Sequence, residues 1–171
     1  MRNERIGALF YFMRKLCGID SSTNRTAISY FEDDKLVDYK VIDMHKITDK
    51  NERIDNMMLA IGAHLNMWNP DFVYQEDTWT SGNPETANML TTIIGGVRFW
   101  CLNNKCGYHK IKPSVWRSQF GLNQFKAKRQ ELKEKSIEYV KGQYGVEVSD
   151  DEADAILIGL CGTKMQNKLI V

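Results

Sequence analysis

The chain has no excess of either charge. Its 23 Lys and Arg stand against 22 Asp and Glu, a formal charge of +1, so any surface for nucleic acid or lipid must come from local segregation of charge. Histidine is scarce: His45, His64 and His109 are the only three, and no nucleophile motif lies near them. Serine-hydrolase chemistry therefore lacks its base, and no His or Cys cluster offers itself to zinc. The four cysteines, Cys17, Cys101, Cys106 and Cys161, form no C-x-x-C pair. Cys17 and Cys161 lie in apolar runs where a reduced thiol acts as a small hydrophobe, and a reducing, cytoplasmic setting is expected. Long apolar runs are missing too. Residues 6–13 fall far short of the ~20 residues that cross a bilayer, and no small-residue cleavage site follows them.

What is present suits one domain. With 43% hydrophobic and 26% charged residues in 171, the chain carries enough apolar surface for a sizeable core. Residues 1–12 stand apart, charged from Arg2 to Arg5 and then apolar up to the first strand. Met13 is a candidate start, which makes 1–12 an extension outside a domain of 13–171; a genuine N-terminal helix or strand is the alternative.

The informative stretch is Lys15-Leu16-Cys17-Gly18-Ile19-Asp20-Ser21-Ser22-Thr23, an apolar run that ends in a carboxylate. Asp is depleted in strands, and burying its charge costs several kcal/mol without compensation. Either a cation faces Asp20, or the amides of the following turn do, as in an Asx turn. Residues 26–31 and 36–42 have strand composition around the polar turn Glu32-Asp33-Asp34-Lys35, which implies an antiparallel meander of three strands. The period then changes. Ile54, Met57, Met58, Ile61, Leu65 and Trp68 recur at helical spacing, stopped by Asn69-Pro70, and this Met and Trp stripe reads as core.

Asp71-Phe72-Val73-Tyr74-Gln75-Glu76 is a second apolar run ending in an acid. A strand that follows a helical crossover pairs most readily in parallel, which puts Glu76 and Asp20 at the same strand ends, where open α/β sheets gather functional groups. A polar loop with Trp79 leads into a helix over about 85–100, a short strand spans 108–111, and Lys112-Pro113 starts another helical turn. A helix over 125–139 carries Lys126, Lys128, Arg129, Lys133 and Lys135 against Glu131, Glu134 and Glu138; such a run is usually a solvated face. Last, Ser149-Asp150-Asp151-Glu152 fits a capping box that opens an apolar helix over 153–165. Asp150 and Asp151 suit a helix N-terminus on electrostatic grounds. Asp154, followed by Ala155-Ile156-Leu157-Ile158, does not explain itself that way. It shares a face with Asp151.

In order, spacing and element type, Gly18-Ile19-Asp20-Ser21-Ser22, Pro70-Asp71 through Glu76 with Trp79 and Asn83-Pro84, and Asp151-Glu152-Ala153-Asp154-Ala155 resemble the RuvC-type Holliday junction resolvases of the ribonuclease-H-like superfamily, phage-type members included. The resemblance runs from about Lys15 over most of the chain. It implies an α/β fold, a five-stranded mixed sheet flanked by helices, and a homodimer that nicks four-way DNA junctions symmetrically. It also implies that Trp79 stacks at the opened junction and that Lys112 and Lys128, with Lys126 and Arg129 beside the latter, lie near substrate phosphates. Asp20, Glu76, Asp151 and Asp154 become the catalytic acids and metal ligands. Two unit charges ~4 Å apart repel by roughly 4 kcal/mol at an effective dielectric of 20, so converging carboxylates call for divalent cations, and an all-oxygen set selects Mg²⁺ or Mn²⁺, two ions per site. Departures from the pattern are the residues before Met13, the extra acids Asp77 and Asp150, and the near-neutral charge. The rivals are a related nuclease for forks, flaps or RNA, a junction-binding protein without cleavage, and an actin-like nucleotide-binding domain. The last needs a second copy of the Gly18-to-Thr23 loop, and the chain has none.

Overall fold

The computed structural model describes residues 13–77, 83–123 and 128–168. Strands β1 (Lys15–Asp20), β2 (Arg25–Glu32) and β3 (Lys35–Asp43) form the expected meander. Its second turn is set by Asp33 at φ 53°, a left-handed conformation that Asp tolerates better than most residues. Helix α1 (Lys50–Trp68) starts where the Asp49 carboxylate accepts from the Glu52 amide at 2.8 Å and stops at Asn69 in the left-handed region. Strand β4 (Phe72–Glu76), helix α2 (Pro84–Asn103), strand β5 (Gly107–Ile111) and helices α3 (Pro113–Gln119), α4 (Arg129–Tyr144) and α5 (Asp150–Lys168) complete the order. The sheet reads β3-β2-β1-β4-β5, with β4 parallel to both β1 and β5. This is the expected five-stranded mixed sheet flanked by helices.

Strand alternation divides the core in two. Cys17, Ile19 and Val73 point to α1 and α2, where Met57, Ile61, Leu65 and Trp68 join them. Leu16, Phe31 and Tyr74 point the other way, to α5. Asp20 and Glu76 have the parity of Leu16 and Tyr74, so both acids emerge on the α5 side. The Met and Trp stripe is core, with Trp68 stacked on Tyr30 at 5.4 Å between ring centroids. His109 is a strand residue whose ring stacks on Tyr74 at 4.7 Å.

Helix α5 lies unusually close to the sheet. A Cβ on Gly18 would sit 2.4 Å from the Gly159 nitrogen and 2.5 Å from the Ala155 carbonyl oxygen. The Ser29 hydroxyl closes the contact by donating to that carbonyl at 2.8 Å. Residues Ala155–Leu160 are all buried, which accounts for a helix apolar on every side.

Element ends differ from the sequence reading: α2 and α5 each run about three residues further, and α4 shifts at both ends. Helix α4 continues to Tyr144 and is closed by left-handed Gly145, because Gly142 is carried inside it. Lys128 lies outside the helix as its extended cap, its amide donating to Glu131 Oε2 at 3.1 Å.

Candidate active site

The edge that holds the acids is braced from below. Gln75, fully buried, donates to the Ser21 hydroxyl at 2.6 Å and accepts from the Tyr108 hydroxyl at 2.9 Å. This chain ties the carboxyl ends of β1 and β4 to each other and to the first half of β5. Since Ile19 pairs with Gln75, the next residues, Asp20 and Glu76, stand side by side at the carboxyl ends of the two parallel strands. The turn after β1 does not serve Asp20 as an Asx turn would. The Ser22 amide donates to Thr26 Oγ1 and the Asn24 amide to Ser22 Oγ.

Helix α5 brings Asp154 and Asp151 to the same edge. Its N-terminus is the expected capping box: Glu152 Oε2 accepts from the Ser149 amide at 2.8 Å, and the Glu152 amide donates back to Ser149 Oγ at 3.3 Å. The close seat of α5 on Gly18 sets how far Asp154 projects over β1. Burial raises the Asp20 pKa well above its ordinary value, and Glu76, Asp154 and Asp151 raise it further, in that order, against Arg117. Glu76 is raised by burial and opposed first by Trp116, then by Arg117. Asp154 is raised by burial, with the Ser136 hydroxyl and Arg117 opposing. Asp151 is raised by burial and by Asp150, with Arg25 and Lys133 opposing.

The two extra acids behave differently. Asp77 pairs with Lys110 at 2.6 Å. Asp150 pairs with Lys133, which holds its carboxyl below the ordinary range. Each is thus neutralised by a lysine. Glu76 and Asp154 instead meet adjacent residues of α3. The Trp116 indole donates to Glu76 Oε2 at 2.8 Å, and Arg117 Nη2 donates to Asp154 Oδ2 at 3.2 Å. The guanidinium lies 4.4 Å from the Trp116 ring centroid, so the two side chains form one stacked unit. The sequence marked 112–116 only as a helical start; the signal for Trp116 and Arg117 is their place after β5, the next parallel strand at this edge.

Among the described residues, no three His, Cys, Asp or Glu side chains converge closely enough to cage a metal ion. The donor set nonetheless suits a divalent cation. It is all carboxylate, Glu76, Asp154 and Asp151 each raise the Asp20 pKa, and Asp154 Oδ1 is buried beside the Ser136 hydroxyl without a formed hydrogen bond among the described residues. An unsatisfied buried carboxylate oxygen costs roughly 1–3 kcal/mol or more, and hard divalent ions take such oxygens.

Of the expected DNA-contact residues, Lys112 is exposed at the end of β5, and Lys128 and Arg129 are exposed at the start of α4. Trp79 and Lys126 lie outside the described residues, as do residues 1–12. Among the described residues, no helix is long and apolar enough to cross a membrane.

No protein-family model matches the chain. Over 153 residues it is 24% identical to the crossover junction endodeoxyribonuclease RuvC of Caldicellulosiruptor saccharolyticus, covering 86% of this chain and 90% of that protein. In structure it resembles Thermus thermophilus RuvC in complex with a Holliday junction substrate, with a TM-score of 0.72 at 15% identity over 90% of this chain and 96% of that one. The yeast mitochondrial Holliday junction resolvase superposes with a TM-score of 0.63 at 15% identity, over 92% of this chain and 81% of that one. The fowlpox virus resolvase, solved with junction DNA, gives 0.61 at 17% identity, over 89% and 98% of the two chains. The fold is that of these Holliday junction resolvases.

Proposed function

We propose that this chain, similar in sequence and in fold to the RuvC-type Holliday junction resolvases, is a metal-dependent endonuclease that resolves four-way DNA junctions by paired, symmetric nicks. The observation that carries this reading is that Asp20 and Glu76 end adjacent parallel strands, with Asp154 and Asp151 near enough to act on Asp20, on a fold shared with junction resolvases along nearly its whole length. All four acids act as ligands for two Mg²⁺ or Mn²⁺ ions. Bound there, such ions lower the pKa of an attacking water and stabilise the departing 3′ oxygen. The protein's own contribution is orientation. Trp116 fixes one oxygen of Glu76, Arg117 fixes one oxygen of Asp154, and the Tyr108–Gln75–Ser21 chain locks the strands that carry the acids. No side chain serves as nucleophile. Lys112, Lys126, Lys128 and Arg129 contact phosphates, and Trp79 stacks on an unpaired base, an interaction worth roughly 1–3 kcal/mol.

The reading requires two copies, since paired nicks need two sites and a two-fold dimer matches a two-fold junction. The α1/α2 face suits a second copy. It forms an open groove of about 690 Å³ in which Asp55 is the only ionisable residue of the described lining, and Leu59 and Phe99 in that lining are 73% and 64% exposed. A groove lined without positive charge does not suit DNA, whereas a second copy brings the same exposed apolar residues to meet it. Phe99→Glu is expected to convert dimers to monomers in light scattering, and an unchanged mass would remove this face from the assignment.

The test of function is incubation with end-labelled mobile and fixed four-way junctions, with Mg²⁺, Mn²⁺ or EDTA. Symmetric nicks that require a divalent ion are the expected result. Equal or faster cutting of forks, flaps or RNA hybrids would instead establish the related-nuclease reading.

A further inference from the structure

The acids at this edge are approached by cations from several sides, Lys133 of α4 among them through its pairing with Asp150. Arg117 comes from α3, and Arg25 comes from the far side, at the start of β2. Arg25 shares strand parity with Ala27, the register partner of Asp20, and with Ser29, which bonds to α5. It therefore projects past the end of β1 on the side where Asp151 lies. Its Nε stands 3.4 Å from Asp43 Oδ2 and 3.9 Å from Asp151 Oδ2. Asp43 is the cross-strand partner of Arg25, and it is anchored independently: Asp43 Oδ1 takes the His45 amide at 3.0 Å and faces His45 Nδ1 at 2.6 Å. One guanidinium is thus divided between a fixed carboxylate and a functional one. With 47% of the Arg25 side chain exposed, it is free to shift between them.

We infer that Arg25 is a tethered counter-cation that competes with the divalent ion for Asp151, and that Asp43 is the site that receives Arg25 when the ion enters. The inference rests on the reading of Asp151 as a metal ligand. Without metal, Arg25 offsets part of the repulsion that Asp150 and Glu152 impose on Asp151. A divalent ion at Asp151 repels the guanidinium, and Asp43, already in contact, holds it a side chain's width away. The Arg25–Asp43 pair then sets how tightly the Asp151 arm holds an ion, without touching that ion.

The test is calorimetric titration of the DNA-free full-length chain with Mn²⁺. Arg25→Gln is expected to tighten Mn²⁺ binding by about fivefold and Asp43→Asn to weaken it by about threefold, the scale set by one partly exposed charge near 4 Å. Arg25→Lys, which keeps the charge, should stay near wild type. In the Arg25→Gln background the Asp43→Asn effect should vanish, since no guanidinium remains to be released. Unaltered or weaker Mn²⁺ binding in Arg25→Gln, or persistence of the Asp43→Asn effect in the double variant, overturns the inference. So does a clear loss of junction affinity by Arg25→Gln in EDTA, which would make Arg25 a phosphate contact instead. If Asp151→Asn leaves the Mn²⁺ titration unchanged, the ligand assignment itself fails, a result distinct from failure of the competition.

Discussion

The two faces of the sheet are incomplete in opposite ways. On the α5 face the packing is complete: Gly18 and Gly159 are filled to contact by backbone, Phe31 and Ser29. What is unmet there is charge, four carboxylates against Arg117, Arg25 and Lys133, the last already paired with Asp150. In the α1/α2 groove Asp55 is the one ionisable residue of the described lining, and apolar surface is unmet. Leu59 and Phe99 stand exposed, and a Cβ on Gly62 or Gly95 would touch nothing within 4 Å. Unmet charge calls for ions and phosphates, whereas unmet apolar surface calls for protein. One sheet can thus keep catalysis and pairing on opposite sides, so that a change to one face leaves the other intact.

The largest expected effect breaks the charged face alone. If these acids hold the proposed metal centre, Asp20→Asn, Glu76→Gln or Asp154→Asn should cut Mg²⁺-dependent junction cleavage by about 1,000-fold or more, because each would remove one of its ligands. Junction binding in a gel-shift assay should survive, and so should the dimer. Cleavage at the wild-type rate by any of the three would end the assignment of these acids.

Next in size is the packing beneath that face. Gly18→Val places atoms where a Cβ alone would already lie 2.4 Å from backbone. Neither strand nor helix can yield there, so a loss of about 3 kcal/mol or more is expected, the upper end of overpacking costs. Urea denaturation measures it, and a midpoint within error of wild type would show that α5 has room to move.

A third effect follows from the raised carboxyls and has a definite sign. In the metal-free protein Asp20, Glu76, Asp151 and Asp154 hold protons more tightly than in the unfolded chain. Their contribution to stability is therefore fully present below the ordinary carboxylate range, about pH 4, and is lost as pH rises through the raised folded values. Asp43 and Asp150, both lowered, act in reverse and lose their contribution as pH falls below that range. Melting in EDTA should accordingly show Tm rising as pH is lowered from 7 toward about 4 and dropping below it. Asp20→Asn should flatten the rise, and Mg²⁺ at pH 7 should restore the stability lost there. A Tm that falls steadily from pH 7 downward would contradict the crowding of the acids.

How much of this was legible beforehand depended on whether the signal was local. The strands and helices announce themselves by period, Asp20 and Glu76 stand out as carboxylates at the ends of apolar runs and Asp154 as one that opens such a run, whereas Asp151 entered only through the family resemblance. Parity then places Asp20 and Glu76 on one side without any coordinates. Helix ends were less legible, because Gly142 inside α4 has the look of a stop and is not one. The partners of the acids were not legible at all. Trp116 reads as a core aromatic, and its indole N–H acquires a role only when α3 lands beside Glu76. Arg25 reads as a turn residue until β2 and α5 meet. The cation that reaches Asp154 is Arg117, five residues beyond Lys112, a distinction that spacing along the chain does not contain.

The smallest effect is also the sharpest test of the contrast between faces. A helical glycine costs roughly 0.5–1 kcal/mol relative to alanine. Gly95 lies inside α2, and its Cβ position is open. For a chain that works alone, Gly95→Ala should therefore raise stability by up to about 1 kcal/mol with no other consequence. If the face pairs with a second copy, the added methyl intrudes where a partner helix approaches, and the same substitution should weaken self-association while stabilising the monomer. Sedimentation across a concentration series, paired with melts at the lowest concentration, separates the two contributions. Stabilisation with unaltered association would move the pairing surface elsewhere; opposite signs in the two measurements would place a second copy against α2.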